Sequence, residues 1–202
     1  MTRAALLIAL LTLTGCVSVL PEARPAAPRY LLEPVSYDKE GAEPVSWSLV
    51  IEDPSATRVY DTAKIALIRN AGRVEYLANG EWADRAPRLV QAALIRSFEN
   101  TSRILGVGDR ASLITSTYTL QTDIRALHAD FVDGPPEAAF AVYARLTNAR
   151  GKVIAARLFE NKAPAGKGTA EEIAAAFDKA ANGAFAEMVE WTLAEGEKAY
   201  AK

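Results

Sequence analysis

The chain has one cysteine and one histidine, and these two residues limit the chemistry that it can do. Cys16 is the only thiol, so no disulfide can form within the chain. A zinc site or a Ser-His-Asp triad would have to use His128, which stands in a β-prone run with no G-x-S-x-G elbow beside it. His128 is better explained as a strand residue at the surface or at the edge of the core. We therefore expect no catalytic residue, no metal site, no cofactor and no enzymatic activity.

Residues 1–15 have the pattern of a cleavable export signal. Arg3 precedes an apolar run from Ala4 to Leu13, which is about half the roughly 20 residues that a membrane-spanning helix needs. The small residues Thr14 and Gly15 follow. The tetrapeptide Leu13-Thr14-Gly15-Cys16 resembles the lipobox of bacterial lipoproteins, which implies cleavage between Gly15 and Cys16 and a lipid, such as palmitate, on Cys16. The alternative is a plain secretory signal with an incidental cysteine.

A lipidated Cys16 would hold the mature protein at a membrane. Each buried methylene contributes about 0.8 kcal/mol, so two or three acyl chains on one residue anchor a protein essentially permanently. By resemblance to such lipoproteins, the residue after the cysteine influences sorting, and Val17 in place of an aspartate favours the outer membrane. We expect the protein at the periplasmic face of the cell envelope, anchored to the outer membrane.

Residues 16–28 form a proline-rich tether. The run Val17–Pro28 contains three prolines, which exclude a regular helix or strand and favour an extended spacer. At about 3.1 Å per residue this spacer reaches roughly 35–40 Å. The folded part therefore stands off the membrane.

Residues 29–202 have the size and composition of one domain. Half of all residues in the chain are hydrophobic, and the formal net charge is -2. The basic and acidic residues are mixed along the chain, so nothing indicates nucleic-acid binding. No second apolar run has the length of a membrane span.

The pattern of strands and helices predicts an α+β fold. Asn148–Gly151 separates two β-prone runs and gives the clearest hairpin, and Thr169 is a predicted N-cap with Glu171 and Glu172 in the first helical turn. We expect a mostly antiparallel sheet with two main helices on one face, and the other face or an edge strand free for a partner. The predicted strands are Tyr30–Leu32, Ser46–Glu52, Lys64–Asn70, Arg73–Ala78, Ile104–Val107, Thr117–Phe131, Ala138–Thr147 and Lys152–Asn161, and the predicted helices are Pro87–Asn100 and Thr169 to about Leu193.

Two aromatic residues are candidates for contact with a partner. Trp82 follows Glu81 at a junction between a loop and a helix, and Tyr30 lies beside the tether. A tryptophan at such a junction more often covers the end of the core, and Tyr30 is ambiguous in the same way.

Several motifs together resemble one family, the ABC-type transport auxiliary lipoproteins, which accompany MCE-type lipid transport systems. The resemblance spans nearly the whole mature chain, and its most specific part runs from Tyr76 to Asp84. The motifs are the lipobox, Tyr30-Leu31-Leu32, Leu49-Val50-Ile51, Tyr60-Asp61, Ile65-Ala66-Leu67, Tyr76-Leu77-Ala78, Glu81-Trp82-Ala83-Asp84, Pro87 with Leu94, and Ala174-Ala175-Ala176-Phe177-Asp178.

The resemblance implies a role rather than a reaction. It implies a docking subunit that pairs with an inner-membrane ABC permease and ATPase and with an MCE-domain protein that carries phospholipid or another hydrophobic solute. A ring-shaped MCE partner could impose several copies, which would make a homo-oligomer, and a direct role in binding phospholipid would need a continuous apolar groove. The alternative is a stand-alone structural or assembly lipoprotein of the envelope.

Overall fold

The computed structural model describes residues 26–37, 43–132 and 134–202. The signal peptide, the cleavage site at Gly15 and Cys16, and the tether before residue 26 lie outside the described residues, so those expectations stay predictions. The strands are β1 (Arg29–Tyr30), β2 (Val45–Ile51), β3 (Ser55–Ala56), β4 (Lys64–Arg69), β5 (Arg73–Trp82), β6 (Ile104–Gly108), β7 (Tyr118–Asp130), β8 (Glu137–Asn148) and β9 (Val153–Pro164), and the helices are α1 (Ala86–Thr101) and α2 (Ala170–Tyr200).

The strands β7, β8 and β9 form the long antiparallel half of the sheet. The edge of β7 opposite β8 pairs with three parallel strands in succession: β2 near Leu120, β3 near Asp123 and β4 near His128. Beyond β2 lies β6, and beyond β4 lie β5 and then β1. The sheet is therefore antiparallel along most of its paired length, as predicted, and it forks into two branches along β7.

Both helices pack on one face of this sheet, which confirms the predicted α+β architecture. On α1 an apolar stripe that includes Leu94 and Phe98 is buried, and on α2 a stripe that includes Ile173, Phe177 and Met188 is buried as well. A bulge between Ile124 and Ala126 shifts the alternation of β7 by one residue. The shift keeps apolar side chains of β7 on the helical side both before and after the bulge.

The start of α2 is fixed by a capping box. The Thr169 side chain accepts a hydrogen bond from the Glu172 backbone nitrogen at 3.3 Å, and the Glu172 carboxylate accepts one from the Thr169 nitrogen at 3.1 Å. These bonds satisfy two backbone N–H groups that a helix start leaves without partners. The bond from the Thr169 nitrogen also holds the pKa of the Glu172 carboxyl below its usual value. The predicted N-cap at Thr169 is therefore confirmed.

The end of α2 lies beyond the predicted residue Leu193. Gly196 would normally favour an end there, but the Trp47 indole lies against it, and the Tyr118 hydroxyl donates a hydrogen bond to the Gly196 carbonyl at 3.0 Å. The Trp47 indole nitrogen also donates to Glu197 at 3.1 Å. These tertiary contacts hold the last turns in helical form, and the helix continues to Tyr200.

The strand β5 also continues past its predicted end at Ala78. The pair Asn79-Gly80 predicts a turn, but a Cβ on Gly80 would lie 3.0 Å from the Tyr30 ring and 3.3 Å from the Ala170 methyl group. Gly80 is thus used for close packing rather than for a turn, and the strand runs on to Trp82.

Residues Arg29–Tyr37, here called the strap, cross the helical layer. Only Arg29 and Tyr30 form a strand, paired with Glu81 and Trp82, so the predicted strand Tyr30–Leu32 is shorter than expected. Leu32 is buried, and the Glu33 nitrogen donates to the Asp178 carboxylate on α2 at 2.9 Å. The Val35 backbone is hydrogen-bonded to two side chains of α1. Its nitrogen donates to the Ser97 hydroxyl at 2.9 Å, and its carbonyl accepts from the Asn100 amide at 2.7 Å.

Candidate docking surface

The face of the sheet opposite the helices, here called the open face, carries no element of the described chain along β8 and β9. Its side chains come from alternate residues, because successive residues of a strand point to opposite sides. On β8 these are Ala139, Ala141, Tyr143 and Arg145, while their neighbours Phe140 and Val142 are buried under the helices. The strap lies on the helical side, so it leaves this face uncovered.

Small side chains create a hollow in the open face. Ala126, Ala139 and Ala141 form its apolar floor, and Glu160 and Lys162 lie at its rim. The hollow has a volume of about 500 Å³, which is within the range of sites that hold a small ligand or an inserted side chain. The floor is already largely sheltered, since Ala139 is 6% exposed and Ala141 is 8% exposed.

An aromatic ring with two arginines lies next to the hollow. The Tyr143 ring has the Arg145 guanidinium 4.9 Å from its centre and the Arg125 guanidinium 5.8 Å from it. Leu158 is the cross-strand neighbour of Tyr143 on β9, and it is 44% exposed. Tyrosine and arginine are among the residue types that contribute most binding energy at protein interfaces.

The two arginines differ in their ion pairs. Arg125 pairs with Asp123 at 2.8 Å. Within the part of the chain that the structure describes, no carboxylate forms an ion pair with Arg145. Arg145 is held over Tyr143, and a guanidinium without an ion pair to the described carboxylates can bind an incoming carboxylate.

A polar hollow of about 350 Å³ lies at the end of the open face near the β8–β9 turn. Its charged residue, Arg110, is already bound to Glu52 at 2.7 Å, and Gln121 donates to the same carboxylate at 3.0 Å. Ile114 projects beside it and is 84% exposed. The residues that line this hollow are Arg110, Ile114, Thr115, Ser116, Thr119, Gln121, Thr147, Asn148, Ala149 and Gly151.

His128 lies on the open face beside the alanine floor, because it is the cross-strand partner of Ala139. Its Nδ1 and the Tyr60 hydroxyl share a hydrogen bond of 2.9 Å, and the two rings are stacked. Burial lowers the pKa of His128, and Lys162 lowers it further, against an opposing effect of Asp130. A half-buried, neutral histidine paired with a tyrosine fits the predicted strand residue at the edge of the core.

The lowered pKa of His128 predicts a loss of stability in mild acid. In the unfolded chain the His128 imidazole takes up a proton near pH 6.5, whereas in the folded chain its lowered pKa delays this uptake to lower pH. The free energy of unfolding therefore falls as pH drops below about 6.5. We expect His128→Gln to flatten this fall, because glutamine has no proton to gain. The measurement is the free energy of unfolding in urea at pH 7.5 and pH 5. An equal fall in both proteins would contradict the assignment.

The two predicted contact residues, Trp82 and Tyr30, differ in their exposure to solvent. Trp82 is 1% exposed and packs edge-on against Phe177, with ring centres 5.2 Å apart. Its side chain has no surface to offer a partner, so the partner contact expected of Trp82 is corrected: the residue covers the core. Tyr30 is partly buried, with its ring beside Gly80 at the start of the strap, and part of its side chain stays at the surface.

The amino-acid sequence alone does not identify the residues of the open face. The run from Ala138 to Thr147 indicates a strand, but both of its faces contain alanine and an aromatic residue, so the pattern does not tell which face is covered. The available signal is the alternate set Ala139, Ala141, Tyr143 and Arg145, which ends in a charged residue. The other alternate set of this strand contains no charged residue. The choice of face becomes clear only once the helices are placed.

Within residues 26–37, 43–132 and 134–202 there is no group of three or more His, Cys, Asp or Glu side chains that could hold a metal ion. Neither α1 nor α2 combines the length and the apolar composition required to cross a membrane.

Comparison with known proteins gives one family and a few relatives. A family model described as the ABC-type transport auxiliary lipoprotein component matches residues 30–189. An uncharacterised protein of Bradyrhizobium diazoefficiens is 34% identical over 152 residues, which are 75% of this chain and 41% of that protein. The chain thus spans less than half the length of this relative.

Two solved structures are similar in fold. A protein of Xanthomonas campestris from the family DUF330 superposes with a TM-score of 0.79 at 26% identity, covering 88% of this chain and all of the other. An uncharacterised protein superposes with a TM-score of 0.64 at 14% identity, covering 83% of this chain and 97% of the other. The second likeness concerns the fold alone.

Proposed function

The chain belongs to the ABC-type transport auxiliary lipoprotein family, and on that premise we propose that it is a non-catalytic docking subunit of an MCE/ABC-type system that moves phospholipid or another hydrophobic solute. In this proposal Cys16 carries the lipid, and the tether gives the domain its reach. The protein stands at the periplasmic face of the outer membrane and binds the MCE-domain partner.

The observation that carries the proposal is the separation of the anchoring side from the open face. The chain enters the domain at β1, beside β5, and the strap then runs over α2 and α1. The open face lies on the other side of the sheet. An anchored molecule can therefore present this face to a partner without releasing the strap.

Direct handling of lipid between sheet and helices is not supported by the packing. The layer between them is filled by large side chains that are fully buried, among them Trp47, Phe140, Phe177 and Phe185. A lipid chain would have to displace this core. A docking role uses the surface as it stands.

The test is crosslinking in intact cells, followed by purification from solubilised membranes and identification of the proteins recovered. We expect an MCE-domain protein and the ABC permease and ATPase, with reduced recovery for Cys16→Ala, because the unanchored protein is diluted away from the membrane. Recovery of outer-membrane assembly or wall-linked proteins instead would contradict the proposal and favour a stand-alone envelope lipoprotein.

A further inference from the structure

The open face places on one strand an apolar hollow and a positive charge, that of Arg145, with which no carboxylate of residues 26–37, 43–132 and 134–202 forms an ion pair. Ala141 in the floor of the hollow and Arg145 are four residues apart on β8 and point to the same side. At about 3.3 Å per residue the two lie roughly 13 Å apart. Tyr143 stands between them with its ring against Arg145.

We propose that this face binds an extended segment of the transport partner in which an apolar side chain and an acidic side chain are about four residues apart. The apolar side chain fills the alanine hollow, and the carboxylate pairs with Arg145. The inference rests on the proposed function, since it takes the partner to be the MCE-domain protein of the same system.

Charge and shape favour a polypeptide as the occupant. The apolar floor is short and is bounded by Glu160 and Lys162 at its rim, so an acyl chain would meet charged groups at the edge of the hollow. The stretch from the hollow to Arg145 instead alternates an apolar recess, an aromatic ring and a guanidinium. These three features are spaced like the alternate side chains of an extended peptide, which point to the same side at every second residue.

The experiment places a photo-crosslinking amino acid at Leu158, the exposed neighbour of Tyr143, in the full-length lipoprotein in cells. A second position, Ala92 on the solvent side of α1, reports on the helical layer. We expect crosslinks to the MCE-domain protein from Leu158 and few from Ala92. The crosslinked segment of the partner should contain the apolar and acidic residues at the stated spacing.

Two substitutions should weaken this crosslink by about tenfold each, as expected for residues at the centre of an interface. Arg145→Glu repels the carboxylate, and Ala141→Phe fills the hollow. The matched controls are Arg157→Glu, on the other face of the same sheet where Arg157 pairs with Glu187, and Ala92→Phe on α1. Both controls should stay within about twofold of the unsubstituted protein, and thermal unfolding of each purified variant shows that it is folded.

The outcomes separate the two proposals. Changing the mapped partner acid to arginine should restore the crosslink in Arg145→Glu, and such restoration supports the pairing directly. Recovery of the MCE-domain protein through the helical layer, with no effect of Arg145→Glu, overturns this inference and leaves the docking role intact. Crosslinks from Leu158 to phospholipid or to a second copy of the chain also overturn it. Failure to recover any transport component with the unsubstituted protein overturns the docking role itself.

Discussion

Gly196→Ala is expected to lower the free energy of unfolding by about 2 kcal/mol, although alanine is favoured over glycine within a helix by about 1 kcal/mol. A Cβ at this position would lie 2.5 Å from Cζ2 and 2.9 Å from Cη2 of Trp47. The indole is fully buried, is hydrogen-bonded to Glu197 and packs edge-on against Tyr118, so it has nowhere to move. The measurement is equilibrium unfolding in urea.

The control for this prediction is Gly183→Ala on the same helix. There the nearest atom to a new Cβ is the end of the Asn161 side chain, which can rotate away. We expect a neutral or slightly stabilising change at Gly183. In a Trp47→Phe background, Gly196→Ala should cost far less, because the smaller ring vacates the contact. A cost that is the same in both backgrounds would show that the indole is not its cause.

Trp82→Ala is expected to cost about 3–5 kcal/mol, the range for removing a large aromatic side chain from a core. Its indole is 1% exposed and packs on Phe177 of α2, so the substitution opens a cavity between β5 and that helix. Tyr76→Ala on the same strand is the control. Because Tyr76 is 39% exposed, its removal should lower the free energy of unfolding much less. The measurement is again equilibrium unfolding.

This prediction also separates the two interpretations of Trp82. As a core residue, Trp82 should tolerate phenylalanine with moderate loss of stability and with unchanged recovery of the transport partner. As a contact residue it would lose partner recovery while the purified protein stayed as stable as before. The second result would contradict the buried placement.

The hairpin and both helices could be predicted because their signals are local. Asn148–Gly151 marks the β8–β9 turn, and Thr169 with Glu172 marks the start of α2. The ends of β5 and α2 could not be predicted, because Gly80 and Gly196 are local stop signals that tertiary packing overrides. In both cases an aromatic ring, of Tyr30 or of Trp47, occupies the space that the missing side chain leaves.

The parallel pairing along β7 has no local signal either. β2, β3 and β4 are separated from β7 by whole elements, and the sequence of β7 gives no sign of which strands share its edge. The candidate docking surface depends on this arrangement, since it decides which face the helices cover. The sequence therefore predicts that a face or an edge is free, and the structure identifies the side chains on it.

The strap has a consequence for the order in which the chain assembles. Glu33 is bonded to Asp178, 145 positions later, and Trp47 to Glu197, 150 positions later. These early residues reach their partners only when α2 has been synthesised and has docked on the sheet, because closing so long a loop must wait for its far end. The strap thus completes its contacts only at the end of synthesis: a chain stopped before α2 could still form the bonds of Val35 to α1, but not the bond of Glu33 to Asp178.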